Sequence, residues 1–176
     1  MHIIIGVITL LGIAAVWYYR FKMARDASGE LLEGANDVRL AARRLMKLRK
    51  HRTHPADAVD DPRLAAAGIA VAIATLDAPM SEAEMRALAG ASERIFNVTQ
   101  SKAEDIVAFG RWIPGQCATN HEAVSRLSKV VNRLAGAEAG PDLIAMITEV
   151  ATADGTDLGE AELEAIDTVK RRLGMG

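Results

Sequence analysis

The hydrophobic pattern changes character three times along the chain. Ile3–Tyr19 (IIIGVITLLGIAAVWYY) is apolar and holds no charged side chain. A helix of this length meets the lower limit for crossing a bilayer core, roughly 17–25 residues. Trp17, Tyr18 and Tyr19 close it, where amphipathic rings favour a membrane interface, and Arg20, Lys22 and Arg25 follow. The excess of positive charge on that side predicts a single-pass anchor with a periplasmic N-terminus and a cytoplasmic C-terminal side. Two other readings compete. A cleaved signal peptide has a basic stretch ahead of the apolar run and a small-residue cleavage site after it, and neither is present. A buried core helix is rarely an uncharged run at the extreme N-terminus.

The pattern then becomes amphipathic and basic. From Glu30 to His51 there is no proline, and Leu31, Leu32, Ala35, Val38, Ala42, Leu45 and Met46 recur near helical spacing. The remaining faces carry Arg39, Arg43, Arg44, Lys47, Lys50 and Arg52. Such a helix suits contact with anionic headgroups or with a partner protein, although a basic face is often merely solvated. No aromatic residues interleave with the charges as a nucleic-acid surface would require, so no nucleic-acid partner is expected. His51–Pro62 (HRTHPADAVDDP) is polar with two prolines and reads as a linker. The expected layout is an anchor over 1–25, a basic juxtamembrane helix over 26–54, a linker over 55–62 and a helical domain over 63–176.

Within the domain the pattern is helical throughout, and no alternating run argues for a strand. Asp61 and Pro62 open a helix to about Leu76. It is apolar nearly all round, so it is expected at the centre. Ser81 with Glu84 is a capping box that starts a helix to about Phe96. Ser101 with Glu104 predicts another, running to Trp112 and stopped by Pro114-Gly115. Asn120 precedes a helix from about His121 to Leu134. Gly140-Pro141 opens one to about Ala153. A last helix runs from about Gly159 to Leu173, with Lys170, Arg171 and Arg172 at its end and Gly174 as the terminating residue. The fold class is all-α, with about six helices after the anchor and stalk.

A repeat is visible inside this domain. Ile69–Val98 and Leu143–Met175 each comprise an apolar helix, an Asp at its end, a short loop and an acidic helix start. Asp77 pairs with Asp154, and Glu84 pairs with Glu162 if the second loop is one residue longer. Ala153-Asp154-Gly155 followed by Glu160-Ala161-Glu162 resembles the TerB-like tellurite-resistance family, and the first copy resembles its degenerate first half. An anchor ahead of such a domain is also similar to DjlA-type membrane co-chaperones, but His54-Pro55-Ala56-Asp57 is not the uninterrupted His-Pro-Asp of a J domain. The resemblance covers about Asp61–Met175. It implies a helical domain with acidic residues gathered at paired loops, possible divalent-cation binding, and a role in envelope-associated complexes and stress responses. Ala78-Pro79, where the family has glycine, and the longer second loop both weaken transfer of a metal site.

Charge sharpens the division between the two halves. Residues 1–54 carry ten Lys/Arg and four Asp/Glu, and residues 55–176 carry eleven and nineteen, so a basic stalk precedes an acidic domain. The single cysteine, Cys117, excludes an internal disulfide framework and a multi-cysteine zinc site. Asp77, Glu84, Asp154, Asp157 and Glu162, with Glu82 and Glu160 beside them, are the candidate ligands for a weakly held Ca²⁺ or Mg²⁺. Against this, Thr156 and Leu158 stand where an EF-hand places oxygen donors. Acidic residues at helix starts also serve as caps and dipole partners without any ion. Cys117 and His121 are four apart but lack an orienting group. Phe109 and Trp112 read as core. His51 and His54 are too few for a metal site. No phosphate loop or hydrolase or zinc-protease signature occurs, so no enzyme is expected. The expected function is a membrane-tethered interaction module whose acidic face meets a protein partner or cations. Arg20, Lys22, Arg25, Arg39, Arg43, Arg44, Lys47 and Lys50 would contact the bilayer surface or a partner. The alternative is an accessory or assembly subunit of a larger inner-membrane complex, such as a respiratory one.

Overall fold

The computed structural model describes residues 54–175. The expected anchor and basic stalk, with Arg20 to Lys50, lie outside the described residues. Six α-helices follow one another: α1 (Pro62–Ala74), α2 (Glu82–Phe96), α3 (Gln100–Trp112), α4 (Asn120–Ala135), α5 (Gly140–Ala151) and α6 (Glu160–Leu173). Short 3-10 turns occupy Pro55–Ala58, Pro114–Gln116 and Ala137–Ala139. Among the described residues there is no strand, and no helix is long and apolar enough to cross a membrane.

Helix α1 is the axis of the bundle. Asp61 caps it by accepting from the Arg63 backbone N–H at 2.9 Å, and Pro62 sits in its first turn. Every residue from Leu64 to Ala74 is buried. It touches all five other helices, most extensively α4 and α3. Its alanines and Gly68 let the neighbours come close. A Cβ at Gly68 would lie 2.6 Å from the Ile113 side chain and 2.8 Å from that of Leu127. A Cβ at Gly110 of α3 would lie 3.0 Å from the Ala67 backbone. Around this axis Leu88, Ile106, Leu127, Met146, Ile147 and Val169 complete a continuous core.

Helix boundaries follow local chemistry, and two differ from the sequence reading. Helix α3 starts at Gln100 with Thr99 as its cap, not Ser101. The chain leaves α2 through Asn97 in the left-handed region (φ 50°), so the first hydroxyl reaching the new helix belongs to Thr99. Glu104 instead accepts from the Gln100 side chain at 3.1 Å. Helix α4 is capped by Thr119, which frees the Asn120 amide to donate to the Thr75 carbonyl at 2.8 Å.

The segment read as a linker, 55–62, packs along the bundle, with a 3-10 turn over Pro55–Ala58. Ala56 and Val59 are buried in the core. Asp57 accepts from Arg126 at 2.5 Å, and Arg133 donates to the carbonyls of Asp57 and Val59. His54 caps the turn, its Nδ1 accepting from the Ala56 N–H at 3.2 Å. Two prolines and three acids look linker-like in sequence. Two small apolar residues at the right spacing are nevertheless enough to seat the arm along α4.

The packing generates a test. Gly110→Val should destabilise the protein by about 1–3 kcal/mol, because the added branch meets α1 backbone that cannot move aside. Ile73→Ala should cost about 2–5 kcal/mol through loss of burial and a residual cavity. Urea unfolding followed by circular dichroism measures both, and a cost near zero for either variant would contradict the central position of α1.

Candidate functional site: the paired acidic loops

The two copies of the repeat match in detail. Thr75 and Thr152 end α1 and α5, and their hydroxyls donate to the carbonyls of Val71 and Thr148, at 2.7 and 2.8 Å. Each loop then runs to an acidic helix start. Glu84 accepts from the Ser81 N–H at 2.6 Å, and Glu162 accepts from the Gly159 N–H at 2.9 Å. The second loop is longer by one residue, and Gly155 turns it in the left-handed region (φ 86°). Ala78-Pro79 occupies the equivalent part of the first loop.

The capping boxes differ at one atom. Ser81 completes the first by accepting from the Glu84 N–H at 3.2 Å. Gly159 has no side-chain oxygen, so only the Glu162 half of the second box exists. The first loop approaches this helix start from across the bundle. Asp77 Oδ2 comes within 3.3 Å of where a Cβ on Gly159 would sit, and Glu162 Oε2 lies 3.9 Å from the same point. Asp77 therefore stands at the N-terminus of α6, where a negative charge complements the free N–H groups and the dipole. A larger residue than glycine would crowd it.

The five candidate ligands divide into two kinds. Glu84 is buried and Glu162 half-buried, and each is occupied by its own cap. Asp77, Asp154 and Asp157 are exposed. Asp154 folds onto its own loop, accepting from the Thr156 N–H at 3.0 Å and the Thr156 hydroxyl at 2.6 Å. Those two bonds hold its carboxyl below the usual aspartate range, the hydroxyl contributing most. Among the described residues no three carboxylates, imidazoles or thiols are gathered as a divalent cation requires. With Glu82, Glu160 and Glu164 also exposed, this end of the bundle is an acidic surface on a rigid frame.

Residues 63–176 match the family model for tellurite resistance protein TerB. The chain belongs to the TerB family. No curated protein and no solved structure matches it. In this TerB domain the family match spans all six helices and both acidic loops, but it begins after the arm over 54–61 that the structure adds to the fold.

Sequence reasoning missed an ionic cluster beside this surface. Arg126 bridges Glu122 at 2.7 Å and Asp57 at 2.5 Å. The Ala118 N–H, which donates to Glu122, and then Arg126 hold the Glu122 carboxyl low, with smaller help from the charge of His54. Burial, and then the Glu122 carboxylate, push the half-buried Cys117 thiol up, so it stays protonated and a poor nucleophile. Only the Glu122–Arg126 spacing, four residues on one helix, was legible; Asp57 is 69 positions away. Phe109 and Trp112 pack together at a centroid distance of 5.5 Å, with Phe109 in the core.

Two outcomes follow for the loops. Ser81→Ala should cost about 1 kcal/mol in urea unfolding, as expected for loss of an N-cap oxygen. In an NMR titration, Thr156→Val should raise the Asp154 pKa towards its ordinary value, because the hydroxyl donor favours only the charged carboxylate. An unchanged Asp154 titration would contradict the loop geometry.

Proposed function

We propose that this TerB domain is a protein-interaction module held at a membrane, with the paired acidic loops as its binding face. One observation carries the reading. The fold brings Asp77 of the first copy to the helix start of the second, and so merges two acidic loops into one exposed surface. The capping glutamates belong to the frame, and the exposed carboxylates of Asp77, Asp154 and Asp157 are the contact groups. A basic partner suits such a surface, since complementary charge steers encounter and selects orientation. Membrane tethering rests on the apolar run Ile3–Tyr19 and the basic residues after it, which include Arg20, Lys22 and Arg25. A divalent cation held loosely by the exposed carboxylates would compete with the partner for the same groups.

The second reading is a fixed subunit of a larger membrane complex. One experiment separates the two. Full-length protein is extracted from its native membrane in mild detergent, and its companions are identified by mass spectrometry. The Asp77→Asn/Asp154→Asn/Asp157→Asn variant is treated alongside. The module reading expects a small particle whose companion is depleted about tenfold in the variant, equivalent to roughly 1.4 kcal/mol of binding. A large particle of fixed stoichiometry, unchanged in the variant, would establish the subunit reading instead. Recovery of the full chain in the soluble fraction would overturn the membrane assignment.

A further inference from the structure

The opposite end of the bundle carries an apolar groove. The start of α1, the ends of α2 and α4 and the start of α5 converge there around a hollow of about 210 Å³. Ala66, Phe96, Val131, Ala135, Leu143 and Met146 line it; Phe96 is only partly buried and Ala135 is exposed. Its volume equals roughly seven waters at liquid density, and an apolar lining offers those waters little. The charges at the rim are unequal. Arg63 is paired with Asp61 at 2.8 Å, whereas Asp142 and the nearby Glu138 are exposed carboxylates. The groove therefore suits an apolar side chain on a basic helix.

We propose that the occupant is this chain's own segment Leu31–Met46, seated through the apolar positions that end in Leu45 and Met46. Three observations favour it over an outside partner. The segment offers apolar residues at helical spacing with Arg39, Arg43, Arg44 and Lys47 beside them, matching an apolar groove with an acidic rim. The tether reaches. His54 lies near Glu122 on α4, and from Glu122 to Val131 is about 14 Å along the helix. Residues 47–53 span at most about 25 Å when extended. Finally, a tether this short presents the segment at an effective concentration in the millimolar range, which an unlinked partner rarely meets. The inference is independent of the acidic-face reading and of the anchor.

Disulfide trapping in the full-length chain tests it. In a Cys117→Ser background, Met46→Cys is paired with Ala135→Cys at the groove or with Thr156→Cys at the acidic loops, and each is oxidised in detergent solution. Circular dichroism confirms that each variant keeps its helical content. The groove pair should close within one chain at least about tenfold faster than the loop pair, and adding Leu45→Asp should remove that advantage. Equal rates for the two pairs would overturn the proposal. A cross-link formed mainly between two chains would also overturn it, and would give the groove to a second copy. Because the readout needs neither membrane nor partner, its failure would leave the proposed binding module standing.

Discussion

Helix α1 has no polar face. Eleven consecutive buried residues, Leu64–Ala74, must be kept from water on every side, and one helix cannot do that for another. Five helices are arranged around it, and the remaining architecture follows from their need for contact. The small side chains of α1 set the distances. Where Gly110 meets the Ala67 backbone and Gly68 meets the side chains of Ile113 and Leu127, the approach is close enough that a single added methyl is resisted. Dense packing of this kind is stable but intolerant of added volume.

Symmetry enters through the same constraint. Each copy of the repeat supplies an apolar helix, a threonine stop, an acidic loop and a glutamate cap, and neither copy can bury its apolar face alone. When they pack, the first loop is carried to the start of the second copy's last helix. The two copies are not redundant there. Ser81 makes a full capping box, while Gly159 leaves room for Asp77 to stand at the same helix start from outside. The first loop is thus brought beside the helix start of the second copy. The exposed acidic surface is a by-product of this exchange, since the carboxylates not needed for capping are left pointing to solvent.

Electrostatic contacts elsewhere act as positioning devices. The arm over 54–61 is seated by Ala56 and Val59, and Arg126 and Arg133 fix its path along α4. Partly exposed pairs such as Arg126–Asp57, and the more exposed Arg94–Glu149, add little stability, roughly 0–1 kcal/mol each. Their value lies in direction. The arm begins beside the acidic loops and ends at the start of α1. The bundle then offers two chemically different ends, an acidic one built from loops and an apolar one built from helix termini.

Much of this is legible in the sequence. The six helices, the buried α1, the capping box at Ser81, the left-handed stop at Gly174 and the one-residue offset between the repeats all depend on residues a few positions apart, whose spacing records their chemistry directly. The family could be recognised for the same reason, because Asp154-Gly155 and Glu162 lie close together in the chain. Other features needed the fold. Thr99 displaced Ser101 as a cap because the preceding helix ended where it did. The supposed linker became part of the core because α4 had a place for Ala56 and Val59. Glu84 and Glu162, which as residue types qualified as ligands, were taken by backbone N–H groups. Asp77 meeting Gly159, Asp57 meeting Arg126 and the groove among four helix ends join residues distant in sequence. Such meetings leave no periodicity to read, since they are decided only when six helices compete to cover one apolar axis.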